Sequence, residues 1–336
     1  LIQGDHKTWQ GGAQEIVEYR DAHDGADPLW TGSMFSGMPA YQISVLWKGN
    51  LLRYVDKLFH GFLPHPAGTV FLYLIAMFVL LRVLKVDPWV SMIGAVAYGF
   101  SSYFIIIFEA GHNTKAAAIG YMPLVLAGVW LLLRGNKWVG MAALAVFMGL
   151  EIGSNHLQVT YYLGMVLVLL FAAETVIAFR EKRIAPLLAR GGMGAVAVGL
   201  ALMANASVLW GTAEYGQYTT RSQSELTITP DGSPADSLQT GGLDRDYVTD
   251  WSYGLGESFS LVVPYAKGGA SGYLGNNKEA MVGADPRFRK NLEQMSQYWG
   301  DQRFTSGPVY IGVVVALLML LMLAQLEKQQ MWWAVG

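Results

Sequence analysis

The chain has 336 residues and a formal net charge of -2, with 53% hydrophobic but only 14% charged residues. Soluble domains carry about 25% charged residues, so this composition argues against a soluble enzyme. Its apolar and aromatic content excludes a disordered chain. The near-neutral charge leaves no basic footprint, and we expect no nucleic-acid partner. Because cysteine is absent, disulfide scaffolds, cysteine-ligated zinc and a cysteine nucleophile are excluded.

The first residues after Leu1 are polar and show no signal-peptide pattern. The last residues, 331–336, resemble the start of another apolar segment. We therefore expect that both ends continue into a longer protein, with a further span just before Leu1.

Seven apolar stretches approach the roughly 17–25 residues that cross a bilayer as a helix. Each is expected to be helical, because lipid cannot satisfy open backbone groups. The alternative is a set of buried helices in a large soluble core, which the repeated uncharged runs of about 18 residues disfavour. The predicted spans are 66–84, 89–108, 116–133, 138–154, 157–179, 192–210 and 308–326.

Lysine and arginine in the short loops predict the orientation of the spans. One set of alternating loops carries nearly all of these residues and is therefore predicted to be cytoplasmic. Residues 1–65 and 211–307 then form two extracytoplasmic loop regions, separated by a six-span bundle over 66–210, and 308–336 begins a truncated remainder. The basic residues are Arg82, Lys85, Arg134, Lys137, Arg180, Lys182, Arg183, Arg190 and Lys328.

Polar residues gather at the predicted outer ends of the spans, where ionisable groups are costly and usually functional. We take seven of them as candidate substrate-binding residues: His112, Lys115, Asn155, His156, Gln158, Glu214 and Arg221.

Each of these candidates also has a structural interpretation. The loop holding His112 and Lys115 reads equally as a solvated turn or as a phosphate-binding site. Helix capping is the favoured role for Asn155, whereas His156 and Gln158 have no evident capping role.

Glu214 and Arg221 follow the sixth predicted span. Taken alone, each reads as an ordinary juxtamembrane charge. Arginine is nevertheless well suited to bidentate recognition of phosphate or carboxylate groups.

The first outer segment contains one candidate catalytic residue, Asp5, whose carboxylate is suited to act as a general base. A metal pair formed with His6 is disfavoured, because adjacent residues on a helix or strand point apart. Residues 43–60 are predicted to form an amphipathic interfacial helix. Its expected inward residues are Leu51, Leu52, Val55, Leu58 and Phe59.

Several short motifs, in this order, resemble the YfhO-like family of bacterial membrane proteins, and the resemblance covers nearly the whole chain. The motifs are Gly4-Asp5 with Gln10, Phe35-Ser36-Gly37-Met38-Pro39, Gly111-His112-Asn113-x-Lys115, Tyr121-Met122-Pro123-Leu124, Asn155-His156-x-Gln158-x-x-Tyr161-Tyr162, Trp251-Ser252-Tyr253-Gly254 with Glu257, Val263-Pro264, Tyr298-Trp299-Gly300 and Gly307-Pro308-Val309-Tyr310.

The resemblance implies an all-α polytopic protein with a GT-C-like helical bundle in the bacterial cytoplasmic (inner) membrane. It also implies an inverting sugar transfer, at the extracytoplasmic face, from a polyprenyl-phosphate donor to a cell-envelope acceptor. By this match Asp5 is the base, and His112, Lys115, His156 and Arg221 hold the donor phosphate. Many members of the wider class carry two adjacent acids where this chain has Asp5-His6, so no metal and no other cofactor is expected.

Two other functions remain open. A transporter or lipid flippase should show polar or broken helices near the midplane, and Asn205 and Ser207 are the best candidates. A non-catalytic envelope assembly protein would use the aromatic residues of the outer loops to bind a partner. The motifs of soluble nucleotide-binding and hydrolytic enzymes are absent from the sequence.

Overall fold

A computed structural model describes residues 3–45, 47–219 and 245–326. The chain divides into two compact units. The first comprises residues 1–99 and 111–242, and the second comprises residues 100–110 and 243–336.

The described residues are mostly helical. In chain order the helices are α1 Gly4–Ala22, α2 Leu52–Phe59, α3 Ala67–Val83, α4 Pro88–Gly99, α5 Ser102–Ala110, α6 Asn113–Arg134, α7 Lys137–Gly153, α8 Leu157–Arg180, α9 Ile184–Ala204, α10 Ala206–Gly216, α11 Arg245–Thr249, α12 Lys278–Val282, α13 Arg289–Glu293 and α14 Val313–Gln325. Four short strands, β1 Trp30–Thr31, β2 Met38–Pro39, β3 Gly268–Tyr273 and β4 Ser296–Tyr298, form two antiparallel pairs, β1–β2 and β3–β4.

Four segments of the described chain are helical, long and apolar enough to cross a membrane. Their length and composition agree with the predicted all-α membrane protein. They are Pro88–Ala110, which is interrupted between α4 and α5, and the helices α6, α8 and α9. The predicted spans 66–84 and 308–326 form the shorter apolar helices α3 and α14. The span 138–154 forms α7, which has 17 residues.

The sixth predicted span is misplaced by several residues. The prediction began at residue 192, whereas α9 begins at Ile184, because Arg190 is accommodated inside the helix. The Nη1 of Arg190 donates to the backbone carbonyls of Leu132 and Leu133, at 3.0 and 2.6 Å. The helix then ends at Ala204, and α10 begins after a break at Asn205.

The α6–α7 hairpin lies at the centre of the first unit. Asn136 caps α7 by accepting hydrogen bonds from the amides of Trp138 and Val139, which fixes the turn between the two helices. Gly140 allows their backbones to approach closely, since a Cβ at this position would lie 2.1 Å from the amide nitrogen of Leu132. A cluster of buried apolar side chains fills the interior around the hairpin.

The amphipathic helix predicted over residues 43–60 is shorter, and one face of it packs into the helix bundle. Its helical part is α2, and Leu52, Val55 and Phe59 pack on the core cluster that contains Tyr121 and Leu150. Leu51 and Leu58, which were also predicted to point inward, are 73% and 59% exposed in the described chain, and their placement in a membrane interface stays a prediction. Residues 51 and 58 lie beside residue 55 at the edge of the same apolar stripe, next to the part of the stripe that packs on the core.

The second unit contains α5, the β3–β4 pair and a buried carboxylate. Glu257 is only 3% exposed and accepts hydrogen bonds from the Gly254 amide and the Tyr298 hydroxyl. The Ser102 hydroxyl of α5 donates to the Tyr310 carbonyl and accepts from the Tyr310 amide. These bonds connect α5 to the segment that leads into α14.

Candidate functional site

The start of α1 meets the turn before α6 through the predicted base and a predicted phosphate ligand. Asp5 lies in the first turn of α1, and His112 is the residue immediately before α6. The Asp5 Oδ2 lies 3.0 Å from His112 Nε2, and the two side chains are 65% and 45% exposed. The structure therefore brings two residues from separate sequence motifs into direct contact while both stay open to solvent.

Glycine at position 111 is required for this contact. Gly111 has a φ of 91°, a conformation that residues with a Cβ rarely adopt. A Cβ there would lie 3.1 Å from both the Cβ of Asp5 and the backbone nitrogen of His6. The turn and the first turn of α1 are thus packed backbone against backbone.

A reciprocal pair of amide hydrogen bonds reinforces the same junction. Gln3 Nε2 donates to Asn113 Oδ1 at 3.1 Å, and Asn113 Nδ2 donates to Gln3 Oε1 at 3.2 Å. Gln3 is 6% exposed, so this pair fixes the base of the site. Neither residue was among the predicted site residues, and the only sequence signal was that Asn113 lies within a predicted motif.

His65 adds an imidazole next to the amide pair. Its Nε2 lies 3.3 Å from Gln3 Nε2. Burial lowers the pKa of His65, and the nearby His6 and His60 lower it further. His60 and His65 were missed by the sequence interpretation, although both precede a predicted span on the predicted outer side.

The turn between α7 and α8 brings the second motif to the first. The Nδ1 of His156, the residue before α8, lies 3.3 Å from the Thr114 hydroxyl in the first turn of α6. Burial lowers the pKa of His156, and the electrostatic effects of Lys115 and His112 lower it further. His156 Nε2 is buried and has no hydrogen-bond partner in the described part of the chain.

These residues form one assembly at the end of the bundle where α6 and α8 begin. We call it the polar cluster and define it as Gln3, Asp5, His6, His65, His112, Asn113, Thr114, Lys115 and His156. It combines one exposed carboxylate with several groups able to carry positive charge or to donate hydrogen bonds.

Other predicted site residues lie outside these contacts. Asn155 is exposed with a φ of 56° and makes no capping bond to α8, so the capping interpretation was wrong. His156 occupies the capping position instead, because the left-handed residue before it ends the α7 turn. Gln158 Nε2 donates to the Tyr162 hydroxyl, one turn along the exposed face of α8.

Glu214 and Arg221 are not joined to the polar cluster by any described contact. Glu214 is exposed in the last turn of α10, and Arg221 lies outside the described residues. Tyr41 and Gln42 hydrogen-bond to Gly211 and Thr212, which attaches α10 to the first segment of the chain.

Glu151, near the end of α7, is fully buried instead of facing the cluster. Both of its carboxylate oxygens accept from the Thr160 hydroxyl, at 3.1 and 2.9 Å. This contact connects α7 to α8 just below the turn that carries His156.

Among the described residues no group of three or more histidine, aspartate or glutamate side chains is arranged to hold a metal ion. A carboxylate next to imidazoles and a lysine ammonium can accept a proton from a hydroxyl group and bind an anion at adjacent positions.

The chain matches no protein-family model, no curated protein and no solved structure.

Proposed function

We propose that this protein is a membrane glycosyltransferase, which moves a sugar from a polyprenyl-phosphate donor to a hydroxyl acceptor at the extracytoplasmic face of a bacterial cytoplasmic membrane. The observation that carries the proposal is the contact of Asp5 with His112, together with the contact of His156 with Thr114, the residue that precedes Lys115. Such a donor requires cationic groups at headgroup depth, and the acceptor requires a base within a few ångströms of them.

The reaction would proceed as an inverting displacement. Asp5 takes the proton of the acceptor hydroxyl while the acceptor oxygen forms a bond to the anomeric carbon of the sugar. The bond from that carbon to the phosphate oxygen breaks, and the lipid phosphate leaves with the bonding electron pair. Lys115 and His156 bind the departing phosphate, whose negative charge grows in the transition state.

His112 has two roles in this scheme. Its Nε2 contacts the base, and its ring lies close enough to His156 to lower that residue's pKa. It therefore orients the Asp5 carboxylate and also adds to the positive field that the phosphate meets.

The YfhO-like resemblance supports the proposal through the positions of its motifs. The strings around residues 111–115 and 155–158 contribute His112, Lys115 and His156 to the same cluster, next to Asp5 from the string at residues 4–5. Membership of that family, a GT-C-like bundle and the extracytoplasmic placement of the cluster are part of the proposal.

A transporter or lipid flippase is the second candidate, because the α9–α10 helix is broken at a buried polar residue. Asn205 is 3% exposed, and broken helices with polar residues are typical of transporters. Its side-chain amide, however, donates to the carbonyls of Gly149 and Ala201. These bonds fix the break in the helix, and both hydrogens of the Asn205 side-chain amide are used in bonds within the protein.

The phosphate-binding role is tested with undecaprenyl phosphate and the alcohol undecaprenol on the protein in lipid nanodiscs. Lys115→Met and His156→Gln should each weaken binding of the phosphate about 10-fold, since each removes one charge-assisted or hydrogen-bonding contact. Binding of the alcohol should not change. Lys137→Met is the matched control, because Lys137 is exposed at the opposite end of the α6–α7 hairpin.

The transfer step is tested with undecaprenyl phosphate carrying glucose, galactose or N-acetylglucosamine, supplied with cell-envelope extract as the acceptor. Asp5→Asn should lower the rate of sugar loss from the donor by about 100-fold or more while leaving donor binding intact. Asp21→Asn, an exposed residue near the end of the same helix, should behave as the unchanged protein. Equal rates for Asp5→Asn and Asp21→Asn, or no sugar loss from any donor, would refute the assignment.

A further inference from the structure

A cleft of about 610 Å³ opens in the first unit, apart from the polar cluster. Three segments line it: the turn after α1, the loop before α2 and the junction between α9 and α10. Its volume falls within the range of about 300–1,000 Å³ that is typical of small-molecule sites. None of its lining residues belongs to the polar cluster.

The turn after α1 and the loop before α2 are held in place by ionic contacts and hydrogen bonds. Arg20 pairs with Asp27 at 2.6 Å and donates to the Ser44 carbonyl at 2.8 Å. The Lys48 ammonium donates to the Gly25 carbonyl, which connects the two walls. The cleft is therefore preformed, and a ligand would not have to order these walls on binding.

The side of the cleft at the helix junction is built from two asparagines. Asn50 Nδ2 donates to Asn205 Oδ1 at 3.3 Å and to the Ala204 carbonyl at 3.2 Å. Asn205 is in turn bound to the Gly149 carbonyl of α7. The exposed Ser207 follows Asn205 by two residues and also lines the cleft.

The lining combines an aromatic ring with polar groups of balanced charge. Trp47 is half-buried and offers an apolar surface, while Asp27 and Lys48 carry opposite charges. An isolated lipid chain would cover these polar groups without offering them a further hydrogen bond, and a phosphate would meet the negative charge of Asp27 as well as the positive charge of Lys48. A sugar ring satisfies both requirements, since it has an apolar face for the indole and hydroxyl groups for Ser207 and the charged residues.

We propose that this cleft binds a hexopyranose unit of a glycan, with Trp47 stacked on the sugar ring. The inference rests on the proposed function in one respect only, which is that the bound glycan serves as the acceptor of the transferred sugar. Sugar binding itself rests on the cleft.

The test uses saturation-transfer difference NMR on the protein in nanodiscs, with maltotriose, chitotriose and mannotriose as probes. At least one trisaccharide should bind, and Trp47→Ala should weaken its binding about 10-fold, as expected for the loss of one stacked ring. Trp47→Phe keeps an aromatic face and should retain most of the affinity, which excludes misfolding as the cause. Trp138→Ala is the matched control, because Trp138 is 66% exposed and lies outside the cleft.

The result that overturns the proposal is binding of none of the three trisaccharides, or equal affinity for Trp47→Ala and Trp138→Ala. Trisaccharide binding that depends on Trp47, without sugar loss from any lipid donor, would refute the proposed function and leave the sugar site standing. Sugar transfer that depends on Asp5 but is unaffected by Trp47→Ala, in both rate and acceptor KM, would refute the cleft as the acceptor site.

Discussion

Charged side chains meet at both ends of the bundle that contains α6 and α8, and the two ends differ in how exposed those side chains are. Near the end where α6 and α8 finish, the carboxylate of Glu174 is 2% exposed and lies 2.5 Å from Arg134 and 3.7 Å from Arg183. At the end where these helices begin, Asp5 and His112 are in contact but their side chains are 65% and 45% exposed. His156 Nε2 and Glu174 Oε2 are both buried without a hydrogen-bond partner in the described chain, so exposure of the charged groups is what distinguishes the two ends.

The difference separates a structural ion pair from a site. The Glu174 carboxylate faces two guanidinium groups, and Arg134 donates to it from both Nε and Nη2. That arrangement neutralises a buried charge, and a cationic ligand would find the carboxylate already paired. In the polar cluster the Asp5 carboxylate is 65% exposed, and under the proposed function it is open to the hydroxyl of an acceptor.

The largest expected effect on the free energy of unfolding comes from Glu174→Gln. Removing a buried carboxylate between two arginines should cost about 3 kcal/mol, since each arginine is only about one-third exposed and loses its counter-charge. Unfolding by SDS, followed by circular dichroism, measures this loss, and phosphate binding by the folded fraction should be unchanged. Glu181→Gln, whose side chain is 54% exposed, is the control, and equal stability of the two variants would contradict the comparison.

Gly111→Ala should have the next largest effect, about 2 kcal/mol, because alanine is strained at a positive φ and its Cβ would press on the first turn of α1. It should also weaken undecaprenyl phosphate binding, since the turn carries His112. Gly192→Ala is the matched control. It lies inside α9 with open space around it, and there alanine should leave stability unchanged or raise it slightly. A stable Gly111→Ala protein with normal binding would show that the close approach is dispensable.

A smaller effect is expected from pH, through the lowered pKa of His156 and His65. A lowered pKa in the folded state means that the unfolded chain binds more protons just below the ordinary histidine pKa. Stability should therefore be greatest above that pKa and fall as the pH decreases through it. In His156→Asn, which keeps the ring site neutral, the decline between pH 7 and pH 5 should be shallower. An unchanged slope, or stability that rises on acidification, would be evidence against the buried neutral imidazole.

The smallest effect on stability is expected from Asp5→Asn, even though its effect on the proposed reaction is large. Asp5 is 65% exposed, so its replacement should change the free energy of unfolding by less than about 0.5 kcal/mol. Thermal unfolding of this variant in the nanodisc preparation measures the difference. A loss comparable to that of Glu174→Gln would mean that the Asp5–His112 pair is structural, which removes the distinction between the two ends.

Much of the helical organisation was predictable, because each long apolar run predicts a helix from its own residues alone. The predicted stretches 116–133 and 157–179 agree with α6 and α8 to within a few residues. The prediction failed where an exception depended on another part of the chain. Arg190 lies inside α9 because carbonyls at the end of α6 accept its hydrogen bonds.

The residues of the polar cluster were also only partly predictable from the sequence. Asp5, His112, Lys115 and His156 were predictable as polar residues at helix ends, but Gln3, His60 and His65 were not. Gln3 acquires its place only through Asn113, which lies 110 positions away in the sequence. A residue whose partner is so distant shows no local pattern.

From its sequence alone, the chain is a helical protein with segments apolar enough to cross a membrane and with polar residues gathered towards the ends of those segments. Composition and apolar run length are local properties, and the cost of burying unpaired polar groups in lipid is the same wherever a segment sits in the fold. Only the tertiary structure decided which of those ends meet. Helix packing, the turn at Gly111 and the Gln3–Asn113 pair brought Asp5 to His112, and these are long-range contacts whose geometry no single segment encodes.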